Sequence, residues 1–145
     1  MKKLAPILVE RTYAASPNQI WEALTDKDKL TLWYFEIPDF ELKKGGQFDF
    51  YESKGLNRYH YRIKILDFKP NELLQYAWSH PSESEGTSVV TWYLTPRGNA
   101  TAVRVIHEGI ENFSDAGVLL ERGKYERGWD SLMGTSLANF LEDNN

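Results

Sequence analysis

Three histidines, at positions 60, 80 and 107, are the side chains whose ordinary pKa lies near neutrality, so acid–base or metal chemistry would start with them. His107 lies on a predicted dry face and is followed directly by Glu108; it reads first as a satisfied core histidine and otherwise, with Glu108, as one candidate general base. His80 stands just before Pro81, where a predicted strand runs into a loop, and is the second candidate. His60 alternates with Arg58, Arg62 and Lys64 and reads as a surface residue. No two histidines stand four apart on a helix and no acidic cluster supplies oxygen ligands, so no metal is predicted. The chain has no cysteine, which removes thiolate ligands, a cysteine nucleophile and a disulfide framework, and gives no sign of secretion. There is no G-x-S-x-G and no glycine-rich phosphate loop, since Gly45-Gly46 sits in a hairpin-type turn, and no cofactor is expected.

The second kind of chemistry in the sequence is aromatic. Phe, Tyr and Trp make up 14% of the chain, with five Trp. Strand parity places Tyr59 and Tyr61 on one face, then Tyr76 with Trp78, then Trp92, then Val105 with His107. Trp129 and Met133 share a helical face near the C-terminus. These nine residues are the candidate ligand-binding set. For most of them core is the simpler reading, and the two readings overlap because core aromatics also wall cavities.

The elements that must position them follow from periodicity. Residues 7–14 read as a strand in which Arg11 shares the Val9 and Tyr13 face; if that face is core, a half-buried cation is expected to meet a carboxylate from a neighbouring strand or the last helix, and the other reading is an edge position with the guanidinium in water. Ser16-Pro17-Asn18-Gln19 is a capping box with proline in the first turn, and Asp26 reads as a second cap, so two short helices follow. Strands are predicted at 40–42, 47–51, 57–68, 74–80, 87–95 and 100–108. Residues 109–123 have no clear period, begin and end with glycine, and carry Phe113, Val118, Leu119 and Leu120; they read as a broken helical turn, and as a lid over a cavity mouth. Residues 124–141 form the longest helix, with Trp129, Leu132, Met133, Leu137, Phe140 and Leu141 on one stripe. Such a stripe is unstable alone and must cover the sheet. The fold class is therefore α+β, an antiparallel sheet of about six to seven strands wrapped around a long C-terminal helix.

At 145 residues the chain reads as a single domain over 1–145. A net charge of −4 argues against nucleic acid and anionic membranes. No run approaches the ~18 apolar residues of a membrane span, and the first residues are too weakly apolar for a signal peptide, so a cytoplasmic protein is expected.

Several segments together resemble a known family. They are Ala15-Ser16-Pro17 with Ile20-Trp21-Glu22-Ala23-Leu24-Thr25-Asp26, then Leu32-Trp33-Tyr34, Leu42-Lys43-Lys44-Gly45-Gly46-Gln47-Phe48, Leu74-Gln75-Tyr76-Ala77-Trp78, Val90-Thr91-Trp92-Tyr93-Leu94 and Gly128-Trp129-Asp130-Ser131-Leu132. In this order and spacing they resemble the family related to the activator of the heat-shock-protein-90 ATPase, within the superfamily of START domains, polyketide cyclases and birch-pollen-allergen-like proteins. The resemblance implies the helix-grip fold, a sheet gripping the C-terminal helix with a cavity between them. It does not imply one activity. Three functions are ranked: a module binding a small apolar, aromatic or amphipathic ligand; a cyclase- or hydrolase-like enzyme using His107 with Glu108, or His80; and a chaperone-associated interaction protein.

Overall fold

The computed structural model describes residues 4–54 and 57–143. Strand β1 (Ile7–Tyr13) is followed by helices α1 (Pro17–Thr25) and α2 (Lys27–Trp33). Five strands then run in succession: β2 (Gln47–Lys54), β3 (Asn57–Lys69), β4 (Leu73–Ser79), β5 (Thr87–Arg97) and β6 (Ala100–Glu108). A 3₁₀ segment (Ile110–Leu120) leads into a final helical run of α3 (Arg122–Ser131), a π-helical turn (Leu132–Leu137) and α4 (Ala138–Asp143). The six strands form one sheet in the order β1-β6-β5-β4-β3-β2, with every neighbouring pair antiparallel.

Period-2 patterning sets which side of this sheet is dry. In β4, Leu74, Tyr76 and Trp78 are buried and alternate with partly exposed neighbours. Their register partners continue the same face, with Ile63 opposite Trp78, Val90 opposite Tyr76 and Val105 opposite Trp92. A β-bulge between Ile65 and Asp67 shifts the register late in β3 and turns Leu66 out to solvent. The final helix lies on this dry face, burying Tyr125, Trp129, Met133, Leu137, Phe140 and Leu141. Among the described residues, no helix is long and apolar enough to cross a membrane.

The local signals at the first two helices are fully used. Ser16 accepts from the Gln19 amide while the Gln19 side chain accepts from the Ser16 amide, closing the capping box. Asp26 ends α1 and caps α2 through the amides of Asp28 and Lys29. From an edge strand, and with its side chain 40% exposed, Arg11 reaches the carboxylate of Asp130 on α3 at 2.5 Å, so the carboxylate partner and the edge position are both found. Two residues further along the same strand, the Tyr13 hydroxyl donates to the carbonyl of Met133 within the π turn at 2.7 Å. A π turn breaks the regular i→i−4 ladder, and here a strand hydroxyl supplies a partner to one of its carbonyls.

Two sequence expectations are corrected. Residues 40–42 form no strand: the Phe40 amide closes a turn onto the Ile37 carbonyl and the Phe40 ring is buried against Phe48. The turn expected at Lys43 to Gly46 is present, closed by Gly46 N–H to the Lys43 carbonyl at 3.1 Å, but its glycines also pair with β3, through Gly45 N–H to the Ile65 carbonyl at 2.8 Å and Ile65 N–H to the Gly46 carbonyl at 2.9 Å. Residues 109–123 do not form an open lid. Their 3₁₀ segment, kinked at Gly117, seats Ile110, Phe113 and Leu120 in the core, with Phe113 against His80 and Tyr125. The Val118 side chain falls outside the described residues, and Leu119 is exposed.

Candidate functional site

Between the sheet and α3 lies a partly open cavity of about 490 Å³. Its inner wall comes from β3 and β4, which contribute Tyr61 and Trp78, and from His80 just past the end of β4. The loop after α2 adds Tyr34 and Phe35, and β2 adds Glu52. One face of the final helix closes the other side, with Lys124, Tyr125, Arg127, Gly128, Trp129, Ser131 and Leu132. The volume falls inside the roughly 300–1,000 Å³ typical of ligand pockets.

The aromatic rings pack on one another. Phe35 lies 5.2 Å from Tyr61, and Tyr61 lies 5.3 Å from Trp78, centroid to centroid. Tyr34 and Trp129 are 23° from parallel. Their polar atoms are tied within the protein. Trp129 donates to Nδ1 of His107 at 2.9 Å, and Trp92 donates to the Tyr76 hydroxyl at 3.0 Å. Trp78 donates to Nε2 of His80 at 3.1 Å. The Tyr76 and Tyr34 hydroxyls share a hydrogen bond of 2.9 Å.

An indole N–H can only donate, which fixes both imidazoles. Nδ1 of His107 must be the acceptor, so its proton is on Nε2, 2.7 Å from the Ser88 hydroxyl. Nε2 of His80 accepts from Trp78, and the Tyr125 hydroxyl, 2.7 Å away, donates to the same nitrogen. Both rings are fully buried and neutral. Burial lowers the His107 pKa to about 3, with His80 a smaller like-charge cause. Burial lowers that of His80 to about 4, with the Lys124 cation second. Burial also raises the hydroxyls: Tyr76 to about 12, and Tyr34, Tyr61 and Tyr125 upward in the same sense. Tyr61 is raised further because its hydroxyl donates to the Glu52 carboxylate at 2.8 Å.

The nine candidate residues divide by position. Tyr61, Trp78 and Trp129 line the cavity. Tyr76 and Trp92 border a separate void of about 10 Å³ behind it, alongside Leu24, Leu30 and Ile63. Val105, His107 and Met133 are fully buried and line neither space. Tyr59 is half-buried, with the Lys124 ammonium 4.1 Å from its ring centre. Glu108 is exposed while His107 points inward, so these neighbours do not form a pair. His60 stacks on Tyr51 and lies 3.2 Å from Asp49, on the outer face. The expected mouth at residues 109–123 is also corrected: among the described residues of that segment none lines the cavity, and Phe113 and Leu120 are committed to the core. Tyr34, Phe35, Glu52, Tyr125, Arg127 and Gly128 line it without having been singled out for it. For Tyr125 and Gly128 a signal existed, since they recur at helical spacing with Trp129 and Leu132. Among the described residues, no group of three or more His, Asp or Glu converges as a metal site.

A mixed antiparallel-sheet and helix domain with an aromatic cavity under its last helix is the helix-grip architecture. The chain belongs to the family of activator of Hsp90 ATPase homolog 1-like proteins, whose model matches residues 14–142. Among solved structures, protein MLL2253 from Mesorhizobium loti is 24% identical over 97% of this chain and 98% of its own, with a TM-score of 0.78. The Aha1 dimer from Colwellia psychrerythraea is 22% identical over 96% and 97% of the two chains, with a TM-score of 0.71. DynU16, a putative protein in the dynemicin biosynthetic locus, is 21% identical over 98% of this chain and 49% of its own, with a TM-score of 0.79. At these identities the likeness is one of fold. A search of curated proteins returns no match.

Proposed function

We propose that this protein binds a small, flat, apolar or amphipathic ligand in the cavity between β3, β4 and α3. The observation that carries this is the cavity itself: about 490 Å³ walled by Tyr34, Phe35, Tyr61, Trp78 and Trp129, whose polar atoms are largely occupied by one another. The wall thus offers ring faces to an occupant and few competing polar groups. Polar contacts concentrate where the helix presents Lys124, Arg127 and Ser131 opposite Glu52, which suits the polar end of an amphipathic molecule. Base catalysis is less well served, because the lone pairs of His80 and His107 are already taken by indole and phenol donors.

The test is titration with two fluorescent probes, N-phenyl-1-naphthylamine (neutral) and 1-anilinonaphthalene-8-sulfonate (anionic). Saturable binding of either, with quenching of tryptophan emission and loss on Trp78→Leu, is expected. No saturable binding by the folded protein at accessible concentrations would end the carrier reading. A second reading has one observation in its favour: Leu32, 71% exposed, borders a shallow groove with Trp33 and Phe140, a place for a protein partner in keeping with the family's name. Leu32→Asp would then abolish partner binding without altering probe binding.

A further inference from the structure

We infer that Gly128 is the seat on which the ligand's ring system lies, so that the missing side chain at this position sets which molecules the cavity admits; this rests on the ligand-binding reading above. Gly128 sits inside α3 and lines the cavity. A helix interior disfavours glycine more than any residue except proline, so its presence there calls for a cause. Backbone conformation does not supply one: the glycines with positive φ are Gly45, Gly98, Gly109 and Gly117. Packing within the protein does not supply one either. A Cβ built at Gly128 meets no heavy atom within 4 Å. The contrast with other glycines is sharp. At Gly86 a Cβ would stand 1.9 Å from the Asn112 carbonyl oxygen, and at Gly123 it would stand 2.9 Å from Nη1 of Arg127.

What the glycine does provide is open space at the cavity wall, and bare helix backbone that a ligand can touch. On either side of it in sequence, Arg127 and Trp129 also line the cavity, so the gap is bounded by a cation and an indole. The rest of the wall is largely ring faces, against which a planar conjugated molecule makes the most contact. The class of ligand is therefore a planar, fused or linked aromatic system, laid against the helix at Gly128. A bulky saturated molecule gains nothing from the slot.

Gly128→Ala and Gly128→Leu test this, with Gly134→Ala as a control. Gly134 is in the same helical run, exposed, and absent from the cavity wall, and a Cβ there makes only ordinary contact with Arg11 at 3.9 Å. The probe is N-phenyl-1-naphthylamine, followed by its own emission, with melting temperature measured in parallel. Gly128→Ala should raise the melting temperature by about 3 °C, because helix propensity improves and nothing clashes. The same variant should weaken the probe by about tenfold, the effect of one methyl group in an apolar site. Gly128→Leu should abolish binding, while Gly134→Ala binds as the wild type does. Wild-type affinity in Gly128→Ala would overturn the seat while leaving the cavity reading intact, and so would a lowered melting temperature in that variant, which would make the glycine structural. Absence of probe binding by the wild type would overturn both. Should Gly128→Leu fail to fold, the paired readouts of Gly128→Ala decide.

Discussion

The indole N–H of Trp129 on α3 donates to Nδ1 of His107 on β6 at 2.9 Å, joining the final helix to the sheet through a neutral imidazole. Trp78 and His80 repeat the arrangement at 3.1 Å. Protonating either acceptor would set one N–H against another inside the core. The folded pKa values, about 3 for His107 and about 4 for His80, lie below the ~6.5 of an unfolded histidine. The unfolded chain therefore binds these protons first as pH falls. The stability the two groups contribute is complete above pH ~6.5, falls progressively below it, and is fully lost once pH has passed about 4 for His80 and about 3 for His107. Within that window each histidine tilts the unfolding free energy by up to about 1.4 kcal/mol per pH unit, so the pair gives up to about 2.7. Urea unfolding at pH 7, 6, 5 and 4.5 should show this fall, and His107→Gln should roughly halve the slope. A stability that stays level from pH 7 to 4.5 would refute the neutral-acceptor account.

The helix is held on the sheet mainly by buried area. Trp129 and Phe140 are 4% and 9% exposed. Truncating either to alanine should cost ~3–5 kcal/mol. Chemical denaturation measures this directly, and an unchanged midpoint in both variants would mean that the helix does not dock as described.

Much of this packing was legible in the sequence because it follows from period. The 3.6-residue stripe of Trp129, Met133, Leu137 and Phe140, and the alternation of Leu74, Tyr76 and Trp78, each mark a buried face without help from long-range contacts. Arg11 was legible for the same reason, since parity placed a cation on a half-buried face. What period cannot show is which dry-face residues border empty space. Trp78 and Trp92 are equivalent by pattern, yet one lines the cavity and the other packs behind it, against Trp33 and Trp129. That difference depends on where the loop carrying Tyr34 and Phe35 folds across the sheet, which is a tertiary fact. Residues 109–123 misled because an aperiodic stretch can be a mobile loop or a tightly packed 3₁₀ segment, and composition does not separate the two.

Two contacts tie β1 to the final helical run, and they should differ in energy against first appearance. The Arg11–Asp130 pair is short, at 2.5 Å, but its side chains are 40% and 68% exposed. Solvent screening leaves such a pair below about 1 kcal/mol. The Tyr13 hydroxyl is buried and donates to the Met133 carbonyl at 2.7 Å, and burial raises its pKa. Its removal deletes a buried hydrogen bond to that carbonyl, at about 1–3 kcal/mol. Tyr13→Phe should therefore destabilise more than Asp130→Asn, and only the latter should lose its effect in 1 M salt. The reverse order in matched denaturation curves would contradict this.

The charge pattern at the cavity mouth gives the last prediction. Lys124, Arg127 and Ser131 line one side on successive turns of α3, and Glu52 lines the other. Two cations against one carboxylate leave a net positive rim, although the protein as a whole carries a charge of −4. A ligand with an anionic end should gain from this rim, and a neutral one should not. The gain is that of a solvent-exposed pair, so it is small: Arg127→Gln should weaken the sulfonated probe by roughly two- to fivefold and leave N-phenyl-1-naphthylamine unchanged. Glu52→Gln should act in the opposite direction on the sulfonate, since the amide oxygen can still accept from Tyr61 while the negative charge is gone. Raising the salt concentration should erase both differences, because rim charges are screened within about 8–10 Å at physiological ionic strength. If Arg127→Gln weakens both probes equally, the side chain contributes by packing and the rim does not read charge.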